Sequence, residues 1–215
     1  TTPGLIAKGP KYLLDPNFPL YMRWSYLPRL LPWLARYLKH ANDADTRRIS
    51  KGLLTIVGDS VEQHKALTDG MPAAKWIKDS EYNFVYRDRA GFEADAYTWN
   101  LRREAGFEPE IVEGAAVRER EPILSPDMGL LAVNKDHGFI LNPGSYVQDL
   151  VKQLEAMGGR FVQAEVRDFD LMGGQITAVD TDQGRIACDR AVLSAGVWSA
   201  ALMKRLGLEV PLEAE

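Results

Sequence analysis

The chain has 215 residues, enough for one large domain or two small ones with a real core. Its 46% hydrophobic and 26% charged residues are ordinary for a soluble globular protein, and a net charge of −4 argues against nucleic acid as the main partner, leaving a small molecule or a protein. Cys188 stands alone, which excludes an internal disulfide and argues against a cysteine-based metal site, and within "RIACD" it reads as a buried strand cysteine.

The opening "TTPGLIAKGPKYLL" lacks the apolar core of a signal peptide, and no stretch is long and apolar enough to span a bilayer. A start without methionine and the ending "PLEAE" give the expectation of a piece cut from a longer protein. The first 41 residues carry six Lys and Arg against Asp15 alone, whereas acidic residues outnumber basic ones in the remainder. Leu27, Leu30, Leu31, Leu34 and Leu38 fall at helical spacing beside Trp33 and Tyr37. Pro28 suits a first turn, while Pro32 should kink the helix or begin a second one. Such a basic aromatic helix either packs its apolar stripe on the domain or lies on an anionic membrane surface.

Residues 43 to about 68 read as one further helix, with Asp43 or Asp45 as N-cap and Gly70 with Pro72 as the stop. "YNFVYRD" alternates Tyr82, Phe84 and Tyr86 against Asn83, Val85 and Arg87, a strand pattern. "AGFEADAYTWNLRREAG" reads as a helix closed by Gly106, "FEPEIVEG" as a short strand, and "AAVREREPIL" as a brief helix ended by Pro122. "GLLAVNKDHGFILNPG" reads as two strands around a turn at Lys135 to Gly138. An amphipathic helix from Ser145 follows, then a strand in "RFVQAEVRDFDL", a glycine turn at 173 and 174, and strands in "QITAVDTD", "RIACD" and "AVLSAG". The expected fold class is α+β: a domain of mixed or antiparallel sheet and helices over 1–142, then part of a Rossmann-like α/β domain over 143–215.

The run "NPGSYVQDLVKQLEAMGGRFVQAEVRDF" followed by "GGQITAVDTDQGRIACDRAVLSAGVWSAALMKRLGLEVPLE" resembles the D-amino acid oxidase-like family of FAD-dependent oxidoreductases. The earlier "KYLLDPNFPLYMRWSYLPRLLPWLARYL" is similar to a segment of bacterial D-amino acid dehydrogenases, whereas "DHGFILNPGSY" follows the general family pattern and leaves the substrate open. The resemblance implies a substrate-binding domain over 1–142 and part of an FAD-binding domain over 143–215. It implies oxidative deamination of a D-amino acid or related amine to a 2-oxo acid, with hydride passing to the flavin. The alternatives are an oxygen-using sarcosine, glycine or hydroxyproline-type amine oxidase, and a non-catalytic binding subunit of the same fold. It further implies a bacterial cytoplasmic location, with peripheral contact to the inner membrane through residues 20–40.

Carried onto this sequence, the family pattern implies that Val166 presents its backbone to the adenine of FAD. Ser194, Ala195 and Gly196 would pass its ribose and diphosphate, and Trp198 would wall the site. Tyr86, Arg87 and His137 are the substrate candidates. The strand-GxGxxG-helix unit that holds the diphosphate in this family does not occur in these 215 residues, so the isolated chain is expected to retain FAD weakly or not at all and to be inactive. No cluster has metal-ligand spacing, and no nucleophile stands beside a base.

Overall fold

The computed structural model describes residues 24–210 and, ahead of them, positions 3 and 9. Most of the leading segment likened to dehydrogenases, and the ending "PLEAE", lie outside the described residues. The chain forms two compact units, Thr1–Leu150 and Val151–Glu215.

In the first unit, α1 (Leu27–Lys39) runs as one helix with Pro28 in its first turn, and Pro32 lies inside it without dividing it. A proline in the second turn removes one backbone hydrogen bond, and the remaining ladder holds the helix together. Leu27, Leu30, Leu34 and Leu38 are half-buried, while Leu31, Trp33 and Tyr37 are exposed and the Trp33 and Tyr37 rings stack at 5.0 Å. The expected single helix over 43–68 is two: α2 (Asp43–Val57) and α3 (Ser60–Thr68), parted at Gly58 and Asp59. The N-cap of α2 is Asn42, whose Oδ1 accepts from the Asp45 amide at 2.9 Å. Asp43 and Asp45 instead occupy the first turn, where acidic side chains favour the helix dipole.

The sheet has the order β1-β3-β2 and is antiparallel throughout. Its strands are β1 (Ile77–Tyr86), β2 (Glu110–Glu113) and β3 (Leu130–Ile140). On one face Phe84, Tyr86, Leu130, Ala132 and Ile111 pack against Phe92 of α4 (Arg89–Ala94) and Trp99 of α5 (Ala96–Glu104). On the other face Leu131, Val133 and Val112 pack against Leu124 and against Val117 of α6 (Ala115–Arg120). Leu130 and Leu131 are fully buried on opposite faces, each worth about 1.5–3 kcal/mol relative to exposure.

The expected turn at Lys135–Gly138 is absent, and β3 runs straight through it. Lys78 pairs with Phe139 and Ser80 with His137, so β1 supplies a ladder along the whole segment, with an irregularity between Ser80 and Tyr82. Gly138 serves close packing there: a Cβ would stand 3.1 Å from the Lys78 carbonyl oxygen and 3.2 Å from the Val61 methyls of α3.

Helix α7 (Pro143–Ala156) carries the chain from the first unit into the second. Asn142 caps it by accepting from the Ser145 amide at 3.0 Å, so the helix begins two residues before Ser145. Tyr146 of α7 places its hydroxyl 2.8 Å from Nδ1 of His64, and the Trp76 indole donates to Asp149 at 2.9 Å.

The second unit is an antiparallel meander of β4 (Val166–Met172), β5 (Gln175–Thr181) and β6 (Gly184–Ala187), followed by α8 (Ser199–Arg205). Gly173 and Gly174 both have positive φ in the β4–β5 turn. Residues 161–165 and 191–195, expected as strand, carry no strand assignment. A parallel core strand needs neighbours on both sides, and no described residue pairs with 191–195. Val192 is accordingly 92% exposed. Cys188 is half-buried just past β6, its amide bonded to the Thr177 carbonyl.

Candidate functional site

Two features of the second unit set its exposed turn. The Glu165 amide donates to Asp182 Oδ1 at 2.8 Å, and the Asp182 amide donates to the Glu165 carbonyl at 3.1 Å. This reciprocal pair fixes Val166 opposite Thr181, at the start of β4. At the other end of the unit, Gly196 adopts φ +56, a conformation that side-chain-bearing residues disfavour. Nothing lies within 4 Å of where its Cβ would be. A single 3-10 turn, Gly196–Trp198, leads into α8, which packs against β4 and is tied to it by Arg205 and Asp168 at 3.1 Å. Val166 therefore sits on the strand that receives the helix following Ser194, Ala195 and Gly196. Trp198, at 74% exposure, is uncovered in this unit.

The first unit separates the three substrate candidates. Tyr86 lies in the core: its hydroxyl donates to Asp95 at 2.9 Å and accepts from the Trp99 indole at 2.8 Å. Desolvation, the largest influence on this phenol, pushes its pKa up. Arg87 follows at the exposed end of β1, its carbonyl accepting from the Gly129 amide. His137 is exposed in the middle of β3, rather than in a turn, opposite Ser80. Tyr86 lies six positions beyond Ser80 along β1, about 20 Å at the rise of a strand, so Tyr86 and His137 do not share a site.

Around His137 the structure assembles side chains that pattern reading passed over. The imidazole meets the Tyr82 ring edge-on at 5.1 Å, Tyr82 meets Phe84 at 4.9 Å, and Phe84 meets Trp99 at 5.1 Å. Arg102 covers the row, its guanidinium 4.2 Å from the Phe84 centroid and 4.6 Å from that of Trp99. The available signal was the i, i+3 spacing of Trp99 and Arg102, which puts both on one face of α5. On the opposite face Arg120 pairs with Glu81 and Glu110, and Lys135 pairs with Glu110 at 2.6 Å. The Lys135 ammonium is the largest cause holding the Glu110 carboxyl below its usual range. Among the described residues no group of three or more His, Cys, Asp or Glu could hold a metal ion.

The aromatic row with its imidazole lies in the first unit and the glycine turn at Gly196 in the second. The chain belongs to the DAO family, FAD dependent oxidoreductase, whose model matches residues 29–214. It is 34% identical over 214 residues to a D-amino-acid oxidase of Bradyrhizobium diazoefficiens, covering 99% of this chain and 51% of that protein. It is 26% identical to a D-amino acid dehydrogenase of Vibrio cholerae over 98% of this chain and 51% of the relative. The chain thus spans about half the length of the curated relatives it matches. Its fold matches that of L-proline dehydrogenase from P. horikoshii with a TM-score of 0.60 at 18% identity, over 73% of this chain and 41% of the other. The mixed α+β class with antiparallel sheets is the one expected from the sequence.

Proposed function

We propose that this chain is part of an FAD-dependent enzyme that oxidises a D-amino acid, or a related amine, to a 2-oxo acid with release of ammonia. The observation that carries this reading is the match over nearly the whole chain to a D-amino-acid oxidase at 34% identity. Residues 1–142 form the substrate-binding domain in this reading, and 143–215 contribute one part of the FAD-binding domain. Flavin, when bound, would accept the hydride that leaves the carbon beside the amine.

The residues of the second unit fit one side of such a cofactor. Val166 would meet the adenine through its backbone, and Ser194, Ala195 and Gly196 would pass the ribose and diphosphate. The open space over Gly196 supports this, because a side chain there would hold a ligand away from the backbone. Trp198 would cover the bound group and exclude water. As no GxGxxG unit occurs in the sequence, these contacts alone hold FAD weakly, and the chain by itself is inactive. His137 is the substrate contact best placed for the role, being exposed beside Tyr82. Tyr86 acts from within, by fixing Trp99 and Asp95, and Arg87 offers a cation at the strand end.

The test is to incubate the longer, FAD-loaded protein that carries this chain with D-amino acids and their L-enantiomers. Ammonium and 2-oxo acid are expected from the D-series, and the absence of both from every amino acid and amine supplied would overturn the reading. Stoichiometric peroxide would mark an oxidase, and its absence a dehydrogenase. A binding subunit would give neither product.

A further inference from the structure

The ring contact between Tyr82 and His137 puts both side chains on one face of the sheet, and strand alternation adds Phe139 to that face. All three are exposed, Tyr82 by 50% and Phe139 by 49%. Gly138, between His137 and Phe139, faces the other way, against Val61, so α3 packs on the opposite face. Inward from Tyr82 the aromatic row closes: Phe84 is half-buried, Trp99 is fully buried, and the Arg102 guanidinium covers both rings. Tyr82 and His137 are therefore its open end.

These two rings form a corner. They stand 5.1 Å apart at 74°, so a flat ring laid on one meets the other edge-on. Both arrangements suit the aromatic quadrupole, and such a pair adds roughly two- to tenfold in affinity beyond the area it buries. A saturated ring of the same size gains the area alone. The polar ends of the corner are unspent as well: neither the Tyr82 hydroxyl nor the His137 imidazole makes a hydrogen bond to a described residue. Tyr86 on the same strand is the contrast, its hydroxyl engaged by Trp99 and Asp95. A free imidazole nitrogen can accept from a phenol hydroxyl or an indole N–H, groups that an aliphatic side chain lacks.

We propose that this corner makes the enzyme selective for D-amino acids with an aromatic side chain, which Tyr82 and His137 hold by stacking. The proposal rests on the reading of the chain as part of a D-amino acid-oxidising enzyme and names the substrate class of that enzyme. Tyr82 and His137 set specificity and take no part in the hydride transfer.

The test is to assay the FAD-loaded longer protein for ammonium release from D-phenylalanine, D-cyclohexylalanine and D-alanine. The first two differ only in the aromaticity of the ring. The kcat/KM should favour D-phenylalanine over D-cyclohexylalanine by at least about fivefold, with the difference lying in KM. Tyr82→Leu and His137→Leu should each bring that ratio toward unity, a change that a merely structural role would not produce. The wild-type ratio decides even where a variant fails to fold. A wild-type ratio near unity, or a ratio unchanged in both folded variants, would overturn the selectivity and leave the enzymatic reading intact. Product from another D-amino acid and none from these three would do the same. No product from any D-amino acid would overturn the enzymatic reading and the proposal with it.

Discussion

The Tyr86 hydroxyl joins strand to helix by accepting from Trp99 and donating to Asp95. Tyr86→Phe keeps the ring and leaves the fully buried Trp99 indole without this acceptor. It should lower the unfolding free energy by about 1–3 kcal/mol, read from urea denaturation. Gly196 presents the opposite case, a residue with no packing to lose. Gly196→Val should cost about 1–2 kcal/mol because a β-branched residue must enter the left-handed region. In the longer protein it should also weaken FAD retention in gel filtration, whereas unaltered retention would remove Gly196 from the cofactor site. Both residues stand out in the sequence, Tyr86 by alternation and Gly196 by its small-residue turn. What pattern cannot supply is the partner: nothing in "YNFVYRD" says that Tyr86 faces Trp99 and that its hydroxyl is spent inside the core.

Elements were legible where a periodic pattern and a stop signal agreed, as for β2, α6 and the meander turn at Gly173. They were misread where a glycine served packing. Gly138 has the look of a turn in "KDHG", yet its role is to admit Val61 and the Lys78 carbonyl beside a continuous strand. The charge network on that strand carries a pH dependence. Since the folded pKa of Glu110 is lowered, its stabilisation is present above the ordinary carboxylate pKa and is lost as pH falls through the folded value. Lys135→Met removes the main cause, so the Tm difference between wild type and variant should shrink on acidification from pH 7 to pH 3. A difference that stays constant would show that the pair does not shape acid stability. Helix α1 offers a further test, with exposed Leu31, Trp33 and Tyr37, basic Arg29, Arg36 and Lys39, and no acidic residue. We expect it to favour anionic membranes in the longer protein. Vesicles rich in anionic lipid should sediment that protein, and exchanging Arg29, Arg36 and Lys39 for Gln should release it; indifference to either change would exclude this contact.

At the scale of the whole molecule, the chain combines a sheet unit carrying the aromatic row with a smaller unit in which Val192 and Trp198 are exposed. Among the described residues no helix is long and apolar enough to cross a membrane. The family was readable because "NPGSYVQDLVKQLEAMGG", the glycine turn and "AGVWS" stand in a fixed order, and order survives divergence better than surface chemistry does. The row of side chains around His137 was not readable, because its members come from β1, β3 and α5 and meet only in the fold. The most direct measurement is anaerobic mixing of the FAD-loaded longer protein with a panel of D- and L-amino acids while the flavin absorbance near 450 nm is followed, an approximate position set by the oxidised cofactor that carries the chemistry. The account predicts bleaching by D-amino acids and little change with their mirror images; an absorbance left intact by every D-amino acid, or bleached only by L-enantiomers, would contradict it.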